Sequence, residues 1–326
     1  MTDGSLSPLV CPHDGLCLEQ ADRVLACPNG HQFPVRAGIP RIVTAETGYT
    51  DSFGEQWNRY RTTQLDSYTK TTISLDRLKQ CLGPDLWEQL SDRKPTTVLE
   101  AGCGAGRFTE VLLQLPGPVL TSTDLSAAVD ANLSNCPASA RHRVVQCDIN
   151  ELPFRPESYD LVLCLGVIQH TPDPEATIDR LYRQTKPGGW LAIDHYTASF
   201  AYFTKVTALI LRPILKRLPP ERRPFVTERL VRLFLPFHLA AKGRPFLQHV
   251  VSRFSPVLTY YHTYPALPDD LQYEWALVDT HDSLTDHFKH FRSAASIAAT
   301  LARLGAAEIW VQKGGNGVEA RCRKPL

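Results

Sequence analysis

"VLEAGCGAGRF", residues 98–108, is an apolar run closed by one acid and followed by three glycines at alternate positions. Thr97 to Leu99 is β-branched and apolar, which reads as a short buried strand with Glu100 at its end. Gly102, Gly104 and Gly106 then spell G-x-G-x-G, a spacing that leaves room for a nucleotide against the backbone. The dinucleotide fingerprint needs G-x-G-x-x-G, whose last glycine lets a helix pack close beneath the pyrophosphate. Arg107 holds that place counting from Gly102, and Thr109 counting from Gly104, so NAD and FAD are disfavoured.

Working outward, Phe108 to Leu115 reads as a helix, and Val119 to Ser122 as a second strand leading to Asp124. An acid about twenty residues past the glycines accepts hydrogen bonds from ribose hydroxyls. A third strand, Val144 to Gln146, leads to Asp148, whose carboxylate can accept the exocyclic amine of adenine. Tyr159 to Leu165 is a fourth strand, and "KPGGWLAID", residues 186–194, turns on glycine into a fifth. This alternation predicts an α/β fold, a doubly wound and mostly parallel sheet with its ligand at the strand C-termini.

With these positions in place, the chain resembles the class I S-adenosylmethionine (SAM)-dependent methyltransferases. The resemblance covers roughly residues 96–195 and implies a seven-stranded Rossmann-like sheet. The C-terminal "AAEIWVQKGGNGVEARCRKP" supplies its closing hairpin within residues 293–326. By that resemblance Glu100, Gly102, Gly104, Gly106 and Arg107 surround the methionine part of SAM. Asp124 and Leu125 take the ribose, Asp148 and Ile149 the adenine, and Leu165 completes the cofactor set.

Residues 1–45 contain "CPHDGLCLEQADRVLACPNGHQFPVRAGIPRIV", which resembles the small Trm112-like zinc ribbon that precedes some bacterial methyltransferases. A Cys3His tetrahedron is the implied zinc site. Cys11, Cys27 and His31 match it, whereas Asp14 stands where a cysteine is expected and Cys17 offers another fourth ligand. The alternative is a ribbon without metal, held to the main domain by Phe33, Ile39 and Ile42. Residues 46–95 open with aromatics at 49, 53, 57 and 60, one face of a helix. The resemblance to the methyltransferases implies that this segment is a lid over SAM, with Gln56, Trp57 and Tyr60 as its contacts.

After the fourth strand, "LGVIQHTPDP" lacks both the N/D-P-P-aromatic motif of exocyclic-amine methyltransferases and a cysteine nucleophile. Nucleobase substrates are therefore disfavoured, and His170 is either a loop-shaping residue or a general base. Residues 196–292 form an insertion read as a helical cap. Phe200 to Pro256 carries eleven Lys and Arg against Glu221 and Glu228, a net +9 in a chain whose total is +1. Leu230, Leu233, Phe234 and Phe237 recur at helical spacing, as expected of amphipathic helices broken by proline. Such a basic face suits solvent, an anionic substrate or peripheral contact with a membrane surface. "VDTHDSLTDHFKHFRS", residues 278–293, reads as a polar loop overhanging the sheet. His281 and Asp282 in that loop, together with Tyr196, join His170 as catalytic candidates.

No secretory leader pattern opens the chain, and the nine scattered cysteines suit a reducing cytoplasm. The near-neutral total charge draws the chain to neither nucleic acid nor membrane in bulk. The resemblance implies methyl transfer to oxygen, nitrogen or carbon of a small molecule, in biosynthesis such as secondary metabolism. Two alternatives use the same residues differently. One is attack on the aminocarboxypropyl carbon of SAM with release of methylthioadenosine; the other is a non-catalytic partner subunit.

Overall fold

The computed structural model describes residues 6–44, 51–198 and 205–326; Tyr49 and Phe200 lie outside them. Five parallel strands form the centre of the sheet: β5 (Thr96–Ala101), β6 (Pro118–Asp124), β7 (His142–Cys147), β8 (Tyr159–Cys164) and β9 (Thr185–Tyr196). The hairpin β10 (Ala307–Gly314) and β11 (Gly317–Arg323) closes one edge, β11 running antiparallel to β9. The order β7-β6-β5-β8-β9-β11-β10 reverses direction between β5 and β8. A crevice above the strand C-termini opens at such a reversal.

Side chains alternate across this sheet as the pleat requires. Val98, Leu161 and Leu163 pack with helices α3 (Ile73–Ser91) and α4 (Arg107–Gln114). Leu99, Val162 and Cys164 pack on the other face with α6 (Pro174–Gln184) and α11 (Ala294–Arg303). Burial on both faces explains why these strands read as nearly continuous apolar runs.

The ribbon is part of the same sheet. Strands β1 (Glu19–Ala21), β2 (Val24–Ala26), β3 (Gln32–Arg36) and β4 (Ile39–Ile42) form an antiparallel meander. Strand β4 then pairs parallel to β7, with Arg41 opposite Gln146 and Ile42 opposite Cys147. The seven expected strands thereby become eleven. Phe33 and Ile42 share a core with Val145 and Cys147, and Ile39 packs on Val129 and Val144.

Within residues 51–95 the helices divide between the crevice and the sheet. Helix α1 (Asp51–Arg59) lines the crevice through Phe53, Gln56 and Trp57, the short α2 (Asp66–Thr69) follows, and α3 buries Leu78, Leu82, Leu86 and Leu90 on the sheet. Helix α3 is broken where Gly83 adopts φ +73° before Pro84, and a Cβ at Gly83 would meet the Arg321 guanidinium at 2.7 Å. The cap contains α7 (Val206–Arg217), α8 (Arg223–Ala240), α9 (Pro245–Phe254) and α10 (Asp269–Thr285). Helix α10 continues through the first half of the segment read as a polar loop. It is tied to the lid by Trp275 Nε1 donating to the Thr63 carbonyl (2.8 Å) and Gln56 Nε2 donating to the Val278 carbonyl (3.2 Å).

Candidate functional site

A cavity of about 550 Å³ lies over the C-terminal ends of β5, β6, β8 and β9 and is roofed by α1, the loop before α10, and α10 itself. Its floor begins with the glycine loop. Gly102 adopts φ +79°, and a Cβ there would stand 2.1 Å from a Val167 methyl, so backbone conformation and space both demand glycine. Gly104 donates its N–H to Asp124 Oδ2 at 3.0 Å, and Ser126 donates its N–H and hydroxyl to Oδ1 at 2.9 and 2.7 Å. The end of β6 and the glycine loop are thus locked together. Burial raises the Asp124 carboxyl above its usual range, and the Ser126 and Gly104 donors oppose that shift.

Gly102, Gly104, Arg107, Asp124, Leu125, Ile149, Leu165, Gln56 and Trp57 all line the cavity. Arg107, on the first turn of α4, donates from Nε to Ser74 Oγ at 3.0 Å and from Nη1 to Gln64 Oε1 at 3.2 Å. Its guanidinium lies over the Phe108 and Trp275 rings, 5.3 Å from each centroid. Among the described residues no carboxylate approaches it within ion-pair distance. Burial, and then Arg77, lower its pKa. A buried cation facing a cavity, with the Asp279 carboxylate acting on it only from beyond ion-pair distance, is a seat for an anionic ligand group.

Four expected cofactor residues fall elsewhere. Glu100 lies beneath the loop and accepts from the Thr109 and Ser122 hydroxyls at 2.5 and 3.0 Å. Gly106 caps α4 with φ +99° and packs on Cys136 and Asn132, so it serves the helix–sheet contact. Asp148 closes a local turn, accepting from the Asn150 N–H (2.7 Å) and side chain (3.1 Å), and Cys147 takes its place in the wall. Tyr60 is one turn beyond Gln56 and Trp57 and packs into the cap cluster of Val231, Leu235 and Tyr261.

Glu100 carries a pH signature of its own. Burial pushes its carboxyl up to about 7, against the Thr109 and Ser122 hydrogen bonds. The folded state therefore holds a proton that the unfolded chain releases near the ordinary glutamate value. Stability contributed by this group is intact below that value and falls as pH rises towards 7, by up to about 3 kcal/mol. Glu100→Gln is expected to flatten the decline in melting temperature between pH 5 and 7 relative to the parent protein. Parallel melting curves across that window would contradict it.

The opposite end of the cavity gathers ionisable groups. His170 Nδ1 lies 3.1 Å from the Phe288 carbonyl, to which it donates, and 3.4 Å from Asp286 Oδ2. Its Nε2 points to Asp282 Oδ2 at 3.9 Å, and the Tyr196 hydroxyl donates to that same oxygen at 3.5 Å. Burial depresses the imidazole, yet Asp282 and Asp286 outweigh it and the pKa is raised. Burial raises Asp282 as well, with His170 opposing. Nε2 and the Asp282 carboxylate thus face each other at the cavity wall, too far apart for a hydrogen bond of their own. Asp286 is balanced by Arg212 (2.9 Å) and Lys289 (3.1 Å), so its cluster with His170 and Asp282 is already charge-compensated without a metal.

His281, expected beside Asp282 in a loop, faces away. Consecutive residues of a helix point about 100° apart, and His281 Nδ1 lies 3.3 Å from the Thr227 hydroxyl of α8. Burial there pulls its pKa down to about 4. Sequence reasoning missed Asp279, one turn before Asp282 on the cavity side of α10. It accepts from Gln64 Nε2 at 3.1 Å and from the Tyr260 hydroxyl, and burial pushes it up to about 6. Arg77, paired with Asp194 and Glu319, and Asn316, 3.2 Å from Asp194 Oδ2, also line the wall. No short-range pattern marks these residues, because distant parts of the chain bring them together.

In the ribbon, the ligand atoms of Cys11, Asp14, Cys27 and His31 all lie within 4.8 Å of one another. His31 Nδ1 is 3.5 Å from Cys11 Sγ, 3.3 Å from Cys27 Sγ and 3.2 Å from Asp14 Oδ2. Cys17 is exposed, takes a contact from Arg155 and stands apart from this group.

Residues 99–193 match the family described as "Methyltransferase domain". A ubiquinone biosynthesis O-methyltransferase of Pseudomonas savastanoi pv. phaseolicola is 33% identical over 96 residues, 28% of this chain and 40% of the relative. One from Coxiella burnetii is 30% identical over 115 residues, 35% of this chain and 49% of the relative. The matched region thus spans less than half of these relatives. Among solved structures, magnesium protoporphyrin IX methyltransferase from Synechocystis aligns with TM-score 0.43 and 14% identity, over 85% of this chain and 95% of that one.

Proposed function

We propose that this protein is a SAM-dependent methyltransferase acting on a hydroxyl oxygen of a small molecule. The observation that carries the reading is the single cavity with Arg107, Asp124 and the glycine loop at one end and the His170–Asp282 pair at the other. When bound, SAM supplies a methyl group already activated on a sulfonium. Arg107 would meet its carboxylate, Asp124 would accept from its ribose hydroxyls, and Leu125, Ile149 and Leu165 would offer apolar wall to the rest. Gln56 and Trp57, which line the cavity from α1, would cover it and exclude water. His170, oriented by the Phe288 carbonyl and by Asp286, takes the proton of the acceptor hydroxyl, and Asp282 stabilises the resulting imidazolium. The names of the O-methyltransferase relatives support oxygen as the acceptor atom.

The test is incubation with methyl-labelled SAM and a panel of phenols, catechols and hydroquinones. Label in the acceptor with equimolar S-adenosylhomocysteine is expected. Methylthioadenosine as the nucleoside product would overturn methyl transfer in favour of aminocarboxypropyl chemistry. Failure to bind SAM would leave a partner subunit.

The ribbon fits a structural zinc ion, in keeping with its resemblance to Trm112 modules. Two sulfurs, one imidazole nitrogen and one carboxylate oxygen make a closed four-ligand set with no position left for substrate. Purified protein is expected to carry about one equivalent of zinc by elemental analysis, and a chelator should lower its melting temperature. Metal-free protein that melts no earlier than zinc-loaded protein would refute this.

A further inference from the structure

The cap helices turn an apolar surface outwards. Of the fourteen large hydrophobic side chains that are exposed among the described residues, eleven belong to α7, α8 and α9. On α7 the exposed positions are Val206, Leu209, Ile210, Pro213, Ile214 and Arg217, an unbroken stripe at helical spacing along the whole helix. Ile210 is 58% exposed and Ile214 50%, whereas Leu215 is buried on the inner side. On α8 the inner face holds Thr227, Val231, Leu235 and His238, which leaves Leu233 and Phe237 outside at 61% and 56%. No residue of α9 is buried, and Phe246 is 82% exposed. Helices α7, α8 and α9 pack on one another.

The apolar stripes are set among cations. Arg217, Arg222, Arg229 and Arg244 are exposed, and Arg229 lies over the Phe225 ring at 4.4 Å. Of the eleven cations in residues 205–256, Lys205 donates to the Val257 carbonyl, while Arg212 pairs with Asp286, Arg232 with Glu228 and Lys242 with Asp269; Arg217, Arg222, Arg229 and Arg244 keep the outward side basic. Exposed apolar side chains interspersed with long cations along the same stretch of chain suit an interface between acyl chains and anionic headgroups, where cations extend to phosphate beside inserted side chains. A second copy of the chain would bring arginines against arginines. A nucleic acid would neutralise the cations but leave Ile210, Ile214 and Phe246 in water. No described helix is long and apolar enough to cross a membrane, so contact through these helices is with the surface.

We propose that the outer face of α7, α8 and α9 docks on an anionic phospholipid bilayer, with Leu209, Ile210, Ile214 and Phe246 inserted and the arginines on headgroup phosphates. None of α7, α8 and α9 lines the cavity, so docking leaves the candidate site intact. The proposal stands independently of the reaction assigned to that cavity.

The experiment is co-sedimentation of the full chain with vesicles of phosphatidylcholine containing phosphatidylglycerol, and with phosphatidylcholine alone. Binding to the mixed vesicles, reduced by added salt and weaker on phosphatidylcholine, is expected. The double variant Ile210→Asp, Ile214→Asp should lower partition by at least about tenfold, since it removes two inserted apolar side chains. Its melting curve and SAM affinity should match the parent, because both positions are exposed and remote from the cavity. Three results would each overturn the proposal. They are no binding to either vesicle, equal binding of parent and variant, and a stable dimer of the parent that the variant dissolves without vesicle binding.

Discussion

His170→Asn is expected to lower turnover by about a hundredfold to ten-thousandfold, the range for loss of a positioned general base, while SAM affinity changes only a few-fold. Asparagine can still donate to the Phe288 carbonyl that now receives Nδ1, so the loop after α10 keeps its anchor. What disappears is the atom that faces Asp282 across 3.9 Å. The pH profile supplies an independent readout. His170 must be unprotonated to act, and Asp282 raises its pKa, so the rate should climb with pH through a value above that of ordinary histidine. Asp282→Asn withdraws the negative charge, lowers the imidazole pKa and should shift this acid limb to lower pH. Both measurements follow S-adenosylhomocysteine formed with the acceptor identified in the panel. Full turnover in His170→Asn, or an acid limb unmoved by Asp282→Asn, would remove the base from the mechanism.

Arg107→Met is expected to divide binding from stability. The guanidinium donates to Ser74 and Gln64, yet it has no acid within ion-pair reach among the described residues. An unpaired buried charge costs the folded state desolvation that a neutral side chain of similar length avoids. The melting temperature of the ligand-free variant should therefore rise. Its affinity for SAM should fall by about tenfold to a hundredfold, the equivalent of one charge-assisted hydrogen bond of roughly 1.5–3 kcal/mol. Calorimetric titration and thermal melting of the same preparations test both arms. A variant that melts earlier and binds SAM normally would make Arg107 a structural residue of α4.

Local backbone rules explain what was legible in the residues themselves. The alternation of apolar runs, glycine turns and terminal acids from Thr97 to Asp194 follows short-range geometry, and β5 to β9 appear where that pattern puts them. Gly102 was legible for the same reason, since φ +79° beside Val167 admits no other residue. The four ribbon side chains that the Trm112 resemblance singles out also converge, Cys11 and Asp14 on the turn between Val10 and Cys17, and Cys27 and His31 on the loop between β2 and β3. Direction was not legible. Glu100 and Asp148 stand at strand ends as expected, but local hydroxyl and amide donors turn their carboxylates away from the cavity. His281 and Asp282 are neighbours in sequence, and the 100° step of α10 sends one to Thr227 and the other to His170. Asp279, Tyr260 and Gln64 meet only because α10 folds back over the lid across some two hundred residues of chain. The cap states the division most plainly. Periodicity in the sequence determined that its apolar residues form stripes, since 3.6 residues per turn is a property of the helix alone. Only the tertiary structure decided which stripe faces in, because that depends on the neighbour each helix finds: α8 buries Val231 and Leu235 against α10, and Leu233 and Phe237 are left to the outside.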